Sequence, residues 1–197
     1  MPSIAIGLGA NLGDSLAILL AVRPLLSARL GAWAEAWADA PRRGSAMSLR
    51  WSPLFRTVPV GGPPGQPPFL NGALLLTLPT LPSSAAVASA PAALLEELLR
   101  LEARFGRVRR ERWGPRSLDL DLLWCGDLTC AGPELVLPHP RLGERTFVLA
   151  PLAAIDPTLR LPGEEVNADD RLAALLARPG EIPPRPLPGR PGWPEGP

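Results

Sequence analysis

Arg107-Val-Arg-Arg-Glu-Arg-Trp-Gly-Pro-Arg116 runs directly into Ser117-Leu-Asp-Leu-Asp-Leu-Leu-Trp-Cys125. The second half reads as a strand over Leu118–Cys125. Side chains at i and i+2 of a strand leave the same face, so Asp119 and Asp121 point together, roughly 6.7 Å apart at Cα. Two carboxylates side by side repel unless a cation lies between them, and Mg²⁺ suits such an oxygen site, completed by water and phosphates. The five arginines just upstream supply fixed donors for phosphate oxygens. Trp113 offers a flat apolar surface for a ring. Cation site, polyphosphate clamp and ring platform on one short segment point to nucleotide-dependent phosphoryl transfer.

The flanking segments supply the architecture. Leu94, Leu98, Leu101 and Phe105 fall on one face at helical spacing, Pro91 sits in a first turn that tolerates proline, and Gly106 ends the helix. Before it lie a strand, Phe69–Leu78, and a small-residue linker, Pro79–Ala90. Val58–Pro68 is too fixed in φ and too poor in donors for helix or strand, and Leu49–Thr57 reads as another strand. The chain opens with a buried strand, Ser3–Leu8, leading into Gly7-Leu-Gly-Ala-Asn-Leu-Gly13. Asp14 caps a helix over Ser15–Leu30 that Pro24 should kink and Gly31 should stop. Past the aspartate strand, Glu134–His139 is extended, Arg145–Ile155 is a strand or helix, and Asp170–Leu176 is a short helix. The order β-α-β-β-α-β suits an α+β, ferredoxin-like layer: an antiparallel central sheet flanked by helices, with extra C-terminal elements. From Glu181 to Pro197 seven of seventeen residues are proline and three are glycine, which predicts a mobile tail of polyproline character.

Composition narrows the function classes. The 197 residues suffice for one domain with a real core, and monomer is the default. A net charge of +1 argues against holding nucleic acid through bulk charge. Every basic residue is arginine, a coding bias that lowers the weight of any single one. Cys125, Cys130 and His139 are too few for a structural zinc site, and two cysteines make no secreted disulfide framework, so both should be reduced. The N-terminus has no basic leader and the apolar run Leu16–Val22 stops at Arg23-Pro24. Neither a signal peptide nor a membrane span is expected, which puts the protein in the cytoplasm.

Two rival readings of the residues stay open. An RNA-binding module could use the Arg/Trp loop for phosphates and base stacking, but Asp119 and Asp121 would repel the backbone. A metal-dependent phosphohydrolase could share the aspartate pair.

Phe69-Leu-Asn-Gly72, Gly106-Arg-Val-Arg109, Arg112-Trp-Gly-Pro-Arg-Ser-Leu-Asp-Leu-Asp121 and Leu137-Pro-His-Pro-Arg141 together resemble the 6-hydroxymethyl-7,8-dihydropterin pyrophosphokinase family of the folate pathway. Gly9-Ala-Asn-Leu-Gly13 is similar to that family's Gly-Ser-Asn-Leu-Gly, with Ala10 for serine. The resemblance covers about residues 3–180 and implies one pyrophosphokinase domain over 1–180 with a tail at 181–197. It implies transfer of the terminal pyrophosphate of ATP to the pterin hydroxymethyl group, giving AMP and the pterin diphosphate. By the same resemblance, Asp119 and Asp121 hold two Mg²⁺ ions and act in catalysis with Arg109 and Arg116. ATP would be met by Glu102, Arg107, Arg109, Arg112, Trp113, Arg116, His139 and Arg145. The pterin would lie between Phe69 and Phe147, edge-bonded by Asn71, Thr57 and the backbone of Val58 and Val60, under Trp113. The implied partners are these small molecules, with neither nucleic acid nor membrane. Arg107–Arg116 would form a lid over both. Three departures accompany the match: an insertion over residues 37–48, one residue fewer between Arg110 and Arg112, and Glu134 where some members carry a basic ATP contact.

Overall fold

The computed structural model describes residues 2–37, 47–78, 89–107 and 113–193. The elements are β1 (Ser3–Ala10), α1 (Ser15–Trp37), β2 (Ser48–Trp51), β3 (Phe55–Thr57), β4 (Phe69–Thr77), α2 (Ala90–Arg104), β5 (Asp119–Cys125), β6 (Cys130–Ala131), β7 (Val136–Leu137), α3 (Thr146–Ile155), α4 (Ala168–Leu176) and β8 (Arg185–Pro186). The main sheet runs β5-β1-β4-β3-β8, with β2 also pairing to β4, and its pairings are antiparallel. β6 and β7 form a separate small ribbon.

Period-two alternation divides the sheet into two packed faces. Ile4, Ile6 and Leu8 of β1 face α1 and α2, where Leu19, Leu26, Leu94 and Leu98 are buried with them. Ala5, Ala73 and Leu75 look the other way, against Leu149 and Leu152 of α3 and Leu175 of α4. At about 2 kcal/mol for each fully buried Leu or Ile, this two-sided burial is the main force holding the layers. Gly7 and Gly9 continue the second face of β1 without side chains, and with Phe147 and Val148 of α3 they line a small cleft.

Several expectations are corrected. The helix predicted to stop at Gly31 runs on to Trp37, because Trp33 and Ala34 are buried and the Trp33 indole donates to the Ala90 carbonyl at 3.1 Å. That burial outweighs the roughly 1 kcal/mol cost of a mid-helix glycine. α1 is long and apolar enough to cross a membrane by length and composition; here one face of it packs on the sheet. The strand expected over Leu49–Thr57 is broken into β2 and β3. Between them, Ser52 keeps one backbone bond to β4, its amide donating to the Ala73 carbonyl at 2.9 Å, while its hydroxyl takes the place of the second acceptor, accepting from the Ala73 amide at 2.8 Å. Of the two readings left open for Arg145–Ile155, the structure has the helix, α3 over Thr146–Ile155 with Arg145 extended before it.

The proline-rich tail is also corrected. Arg185 and Pro186 pair with Arg56 and Phe55, Leu187 N donates to Leu54 O at 2.7 Å, and Trp193 is 5% exposed. Proline excludes helix but is tolerated on an edge strand, where its missing N–H faces away from the ladder. The insertion over 37–48 and the linker over 79–90 lie mostly outside the described residues.

Candidate active site

Strand order assembles the site from distant sequence. Asn71 of β4 pairs with Gly9 of β1, and Gly9 pairs with Asp119 of β5, so the three lie in one row across the sheet. A Cβ on Gly9 would stand 2.8 Å from the Asn71 side-chain oxygen and would displace it. Asn71 Nδ2 in turn donates to the Thr57 hydroxyl at 2.6 Å. Above this floor opens a cavity of about 290 Å³. It brings together Thr57, Val58, Val60, Phe69, Asn71, Arg107, Trp113, Arg116, Asp119, Asp121, His139, Arg145 and Phe147, all expected from the sequence. Val58 and Val60 stand at the rim, 42% and 58% exposed. Arg109 and Arg112 lie outside the described residues, as does the middle of the expected lid.

The mouth is closed on one side by contacts between the Pro/Gly loop and Trp113. Gly62 has φ +78, and a Cβ there would sit 2.2 Å from the Trp113 carbonyl oxygen. Gln66 Nε2 donates to the carbonyls of Trp113 at 3.1 Å and Gly61 at 3.3 Å. Trp113 itself has φ +58, a left-handed conformation costly for a bulky residue and often found where a ligand is gripped. Arg141 lies 6.0 Å from the Trp113 ring centroid.

The charged half of the cavity is internally paired. Asp119 accepts from Arg107 and, at 2.7 Å, from Arg116. Arg107 also donates to Glu102, which is buried and accepts from the Leu120 amide at 2.7 Å. Glu102 is therefore neither a solvated helix-face residue nor part of the main cavity wall; it braces Arg107 and β5 from behind. Among the described residues, Asp121 meets one cation, through a long contact to Arg145 at 3.8 Å. Desolvation and then the neighbouring Asp119 charge push its carboxyl up to about 6, against the opposing pull of Arg145, Arg107 and Arg116.

This donor set fits Mg²⁺. The like-charge repulsion carried by Asp121 is what a divalent cation would relieve. Among the described residues no group of three or more His, Cys, Asp or Glu gathers, so the protein offers two carboxylates and leaves the remaining positions to water and phosphate, the usual Mg²⁺ arrangement.

His139 is anchored through its backbone, its amide donating to Leu123 O at 2.8 Å and its carbonyl accepting from Leu142 N at 2.9 Å. Its Nδ1 accepts from the Arg141 amide at 3.1 Å, which assigns the ring proton to Nε2. Desolvation, then the Arg145 charge, lowers its pKa and favours this neutral donor form.

A second cavity of similar size, about 290 Å³, opens behind the first and shares Arg107, Asp121 and His139 with it. Leu95, Leu99, Leu122, Leu135 and Val136 give it an apolar wall, with Glu102 and Glu134 also among its lining residues. The apolar ones passed unnoticed in the sequence because isolated apolar positions on α2, on β5 and around β7 read as core. Arg141, Gln66 and Asn11 were missed as well. Asn11, 4% exposed, accepts from the Arg116 amide at 2.8 Å and donates to Pro67 O at 3.0 Å, tying the Arg116 segment to the Pro/Gly loop. Its place in Gly9-Ala-Asn-Leu-Gly13 was the available signal.

The family described as 7,8-dihydro-6-hydroxymethylpterin-pyrophosphokinase (HPPK) matches residues 5–157. A 2-amino-4-hydroxy-6-hydroxymethyldihydropteridine pyrophosphokinase of Methylorubrum extorquens is 37% identical over 162 residues, 82% of this chain and 87% of the relative. The same-named proteins of Synechocystis and Pseudomonas aeruginosa are 46% and 44% identical over 49% and 56% of this chain. Those matches span 44% and 62% of the two relatives' own lengths. Among solved structures, a Plasmodium falciparum HPPK-DHPS chain aligns with 90% of this chain and 44% of its own length, at 12% identity and TM-score 0.55. An HPPK-DHPS in complex with substrates aligns at 10% identity and TM-score 0.58, over 89% and 44% of the respective chains. These structural likenesses carry the fold, and the sequence matches carry the kinship: the chain belongs to the HPPK family of 7,8-dihydro-6-hydroxymethylpterin pyrophosphokinases.

Proposed function

We propose that the chain transfers the terminal pyrophosphate of MgATP to the hydroxymethyl oxygen of 6-hydroxymethyl-7,8-dihydropterin, releasing AMP and the pterin diphosphate, as a step in folate biosynthesis. The observation that carries this reading is the meeting of two cavities at Arg107, Asp121 and His139. One cavity has aromatic walls and a hydrogen-bonding edge, which suits the flat polar pterin; the other has a wall of leucines beside polar groups and suits a purine. Between them lie the carboxylates and guanidinium groups that a triphosphate and its cations need.

In this reading Phe69 and Phe147 stack on the two pterin faces, and Asn71 bonds the pyrimidine edge while Thr57 fixes its amide orientation. Arg116, Arg145 and neutral His139 donate to phosphate oxygens, and Arg107 is presented to them by Glu102. Asp119 and Asp121 would hold the Mg²⁺, two ions in the full complex, whose chemistry is charge neutralisation on the phosphates. The new bond joins the hydroxymethyl oxygen to the β-phosphorus, the bond from that phosphorus to the bridging oxygen of AMP breaks, and the hydroxyl proton is released to solvent. Holding the acceptor in line is the protein's main task, because such transfers need little covalent help. The reading includes Arg109 and Arg112 as further phosphate contacts, and a monomeric, cytoplasmic enzyme.

The test is product analysis from MgATP with and without the hydroxymethyl dihydropterin. AMP that forms only when the pterin is present supports the assignment. ADP as product, or nucleotide cleavage indifferent to the pterin, would sink it.

A further inference from the structure

The segment Glu181–Trp193 has no part in the chemistry just described, yet it grips both sides of the ring-binding cavity. On one side, Arg185 and Pro186 add a strand to β3, and Leu187 N donates to Leu54 O at 2.7 Å. On the other, Glu181 accepts from the Thr146 hydroxyl at 2.8 Å, and Thr146 lies between Arg145 and Phe147 at the start of α3.

The segment ends in an anchor. Trp193 is 5% exposed, and its indole N–H donates to Ser52 O at 2.9 Å. Its ring meets Trp51 edge-on at 5.3 Å, and Arg23 covers both rings at 5.3 and 5.6 Å while donating to the Gly192 carbonyl. The indole edge also reaches the sheet, 3.5 Å from where a Cβ of Gly72 would stand. Gly72 is the residue next to Asn71.

β3 is only three residues long and carries Thr57, the partner of Asn71. A strand that short, paired on one side alone, is weakly held in register. The added ladder and the indole beneath Ser52 supply the missing constraint.

We propose that Glu181–Trp193 is a positioning strap for the pterin half of the site, with Trp193 as its anchor residue and Thr57 and Asn71 as the groups it sets. The inference rests on the function proposed above for its ligand, though not for its first readout. That readout is amide hydrogen exchange of the ligand-free full-length protein. Trp193→Ala should speed exchange at Arg56 and Thr57 while the centre of β1 stays protected; unchanged exchange at β3 would overturn the strap.

The second readout is affinity for each ligand separately. Trp193→Ala should weaken pterin binding about tenfold, since small misplacements of positioning groups are costly, and leave binding of a non-hydrolysable MgATP analogue within about twofold. Trp193→Phe keeps a ring in the pocket and should restore most of the loss. If Trp193→Ala fails to fold, Leu187→Pro serves instead, because it deletes one ladder N–H and leaves the anchor in place. Equal loss for both ligands, or no loss for pterin, would overturn the proposal. A wild-type protein that binds no pterin would instead remove the functional reading and leave the exchange result standing.

Discussion

The carboxylate of Asp119 accepts a 2.7 Å hydrogen bond from Arg116, three residues before it. The proposed metal ligand and the proposed phosphate clamp thus neutralise each other when neither holds its ligand. MgATP binding becomes an exchange of partners: cation for guanidinium at Asp119, phosphate for carboxylate at Arg116. Such charge-assisted bonds are worth about 1.5–3 kcal/mol each, so the exchange is close to balanced and the apo site is kept shaped.

Removing Arg116 should therefore separate metal binding from catalysis. In Arg116→Ala one Asp119 oxygen is released, and the affinity for Mg²⁺ alone should rise severalfold. Turnover with MgATP should fall by ~10²-fold or more, the usual loss for a donor that stabilises developing charge. Calorimetry with Mg²⁺ and AMP release check the two halves; unchanged metal affinity would mean the pair does not compete with the cation.

Asp121 gives a pH-dependent prediction. Its carboxyl is raised from the ordinary 3.8 to about 6, so ionisation opposes folding. The stability it contributes is complete below the unfolded value and is lost as pH rises through about 6. Asp121→Asn should raise the thermal midpoint of the metal-free protein near neutral pH, with the gain vanishing toward about pH 4. The same variant should lose at least ~10²-fold in turnover, having lost a metal ligand. A lower midpoint for the variant at neutral pH would contradict the sign.

Gly9 and Asn71 should behave as one unit. Asn71→Ala loses edge hydrogen bonds in a desolvated pocket, and Gly9→Ala pushes a Cβ to within 2.8 Å of the same side chain. Each should weaken pterin binding about tenfold, the value of one such bond, with nucleotide affinity nearly unchanged. Fluorescence titration with pterin and calorimetry with the ATP analogue decide the matter. Equal losses would make the row a structural device only.

Glu102 should matter for stability as much as for rate. Glu102→Ala leaves the Leu120 amide and the Arg107 guanidinium without this buried acceptor, a loss of about 2–4 kcal/mol. Glu102→Gln keeps an acceptor and should cost less. Urea unfolding measures both; a variant as stable as the wild type would exclude the bracing role.

Local chemistry made much of this protein legible in one dimension. Apolar spacing on α2, the glycine after it and the alternation of Asp119 with Asp121 are short-range patterns, so the strand–helix order and the core of the site followed from them. The aromatic and hydrogen-bonding residues of the ring cavity were assigned by the family resemblance of the motifs around them, since Phe69 and Phe147 taken alone read as ordinary core. Other features depend on what lies across the sheet or under a helix. Gly31 does not end α1, because the burial of Trp33 against α2 overrides a local stop signal. Residues 181–193 look unstructured by composition, yet a tryptophan eight residues beyond Arg185 finds a pocket made by Ser52, Trp51 and Arg23. Glu102 could be solvated or buried as a sequence, and only the approach of Arg107 and the Leu120 amide settles which. The leucine wall of the second cavity is likewise invisible along the chain, since its leucines read alike until tertiary packing leaves some of them facing space instead of core.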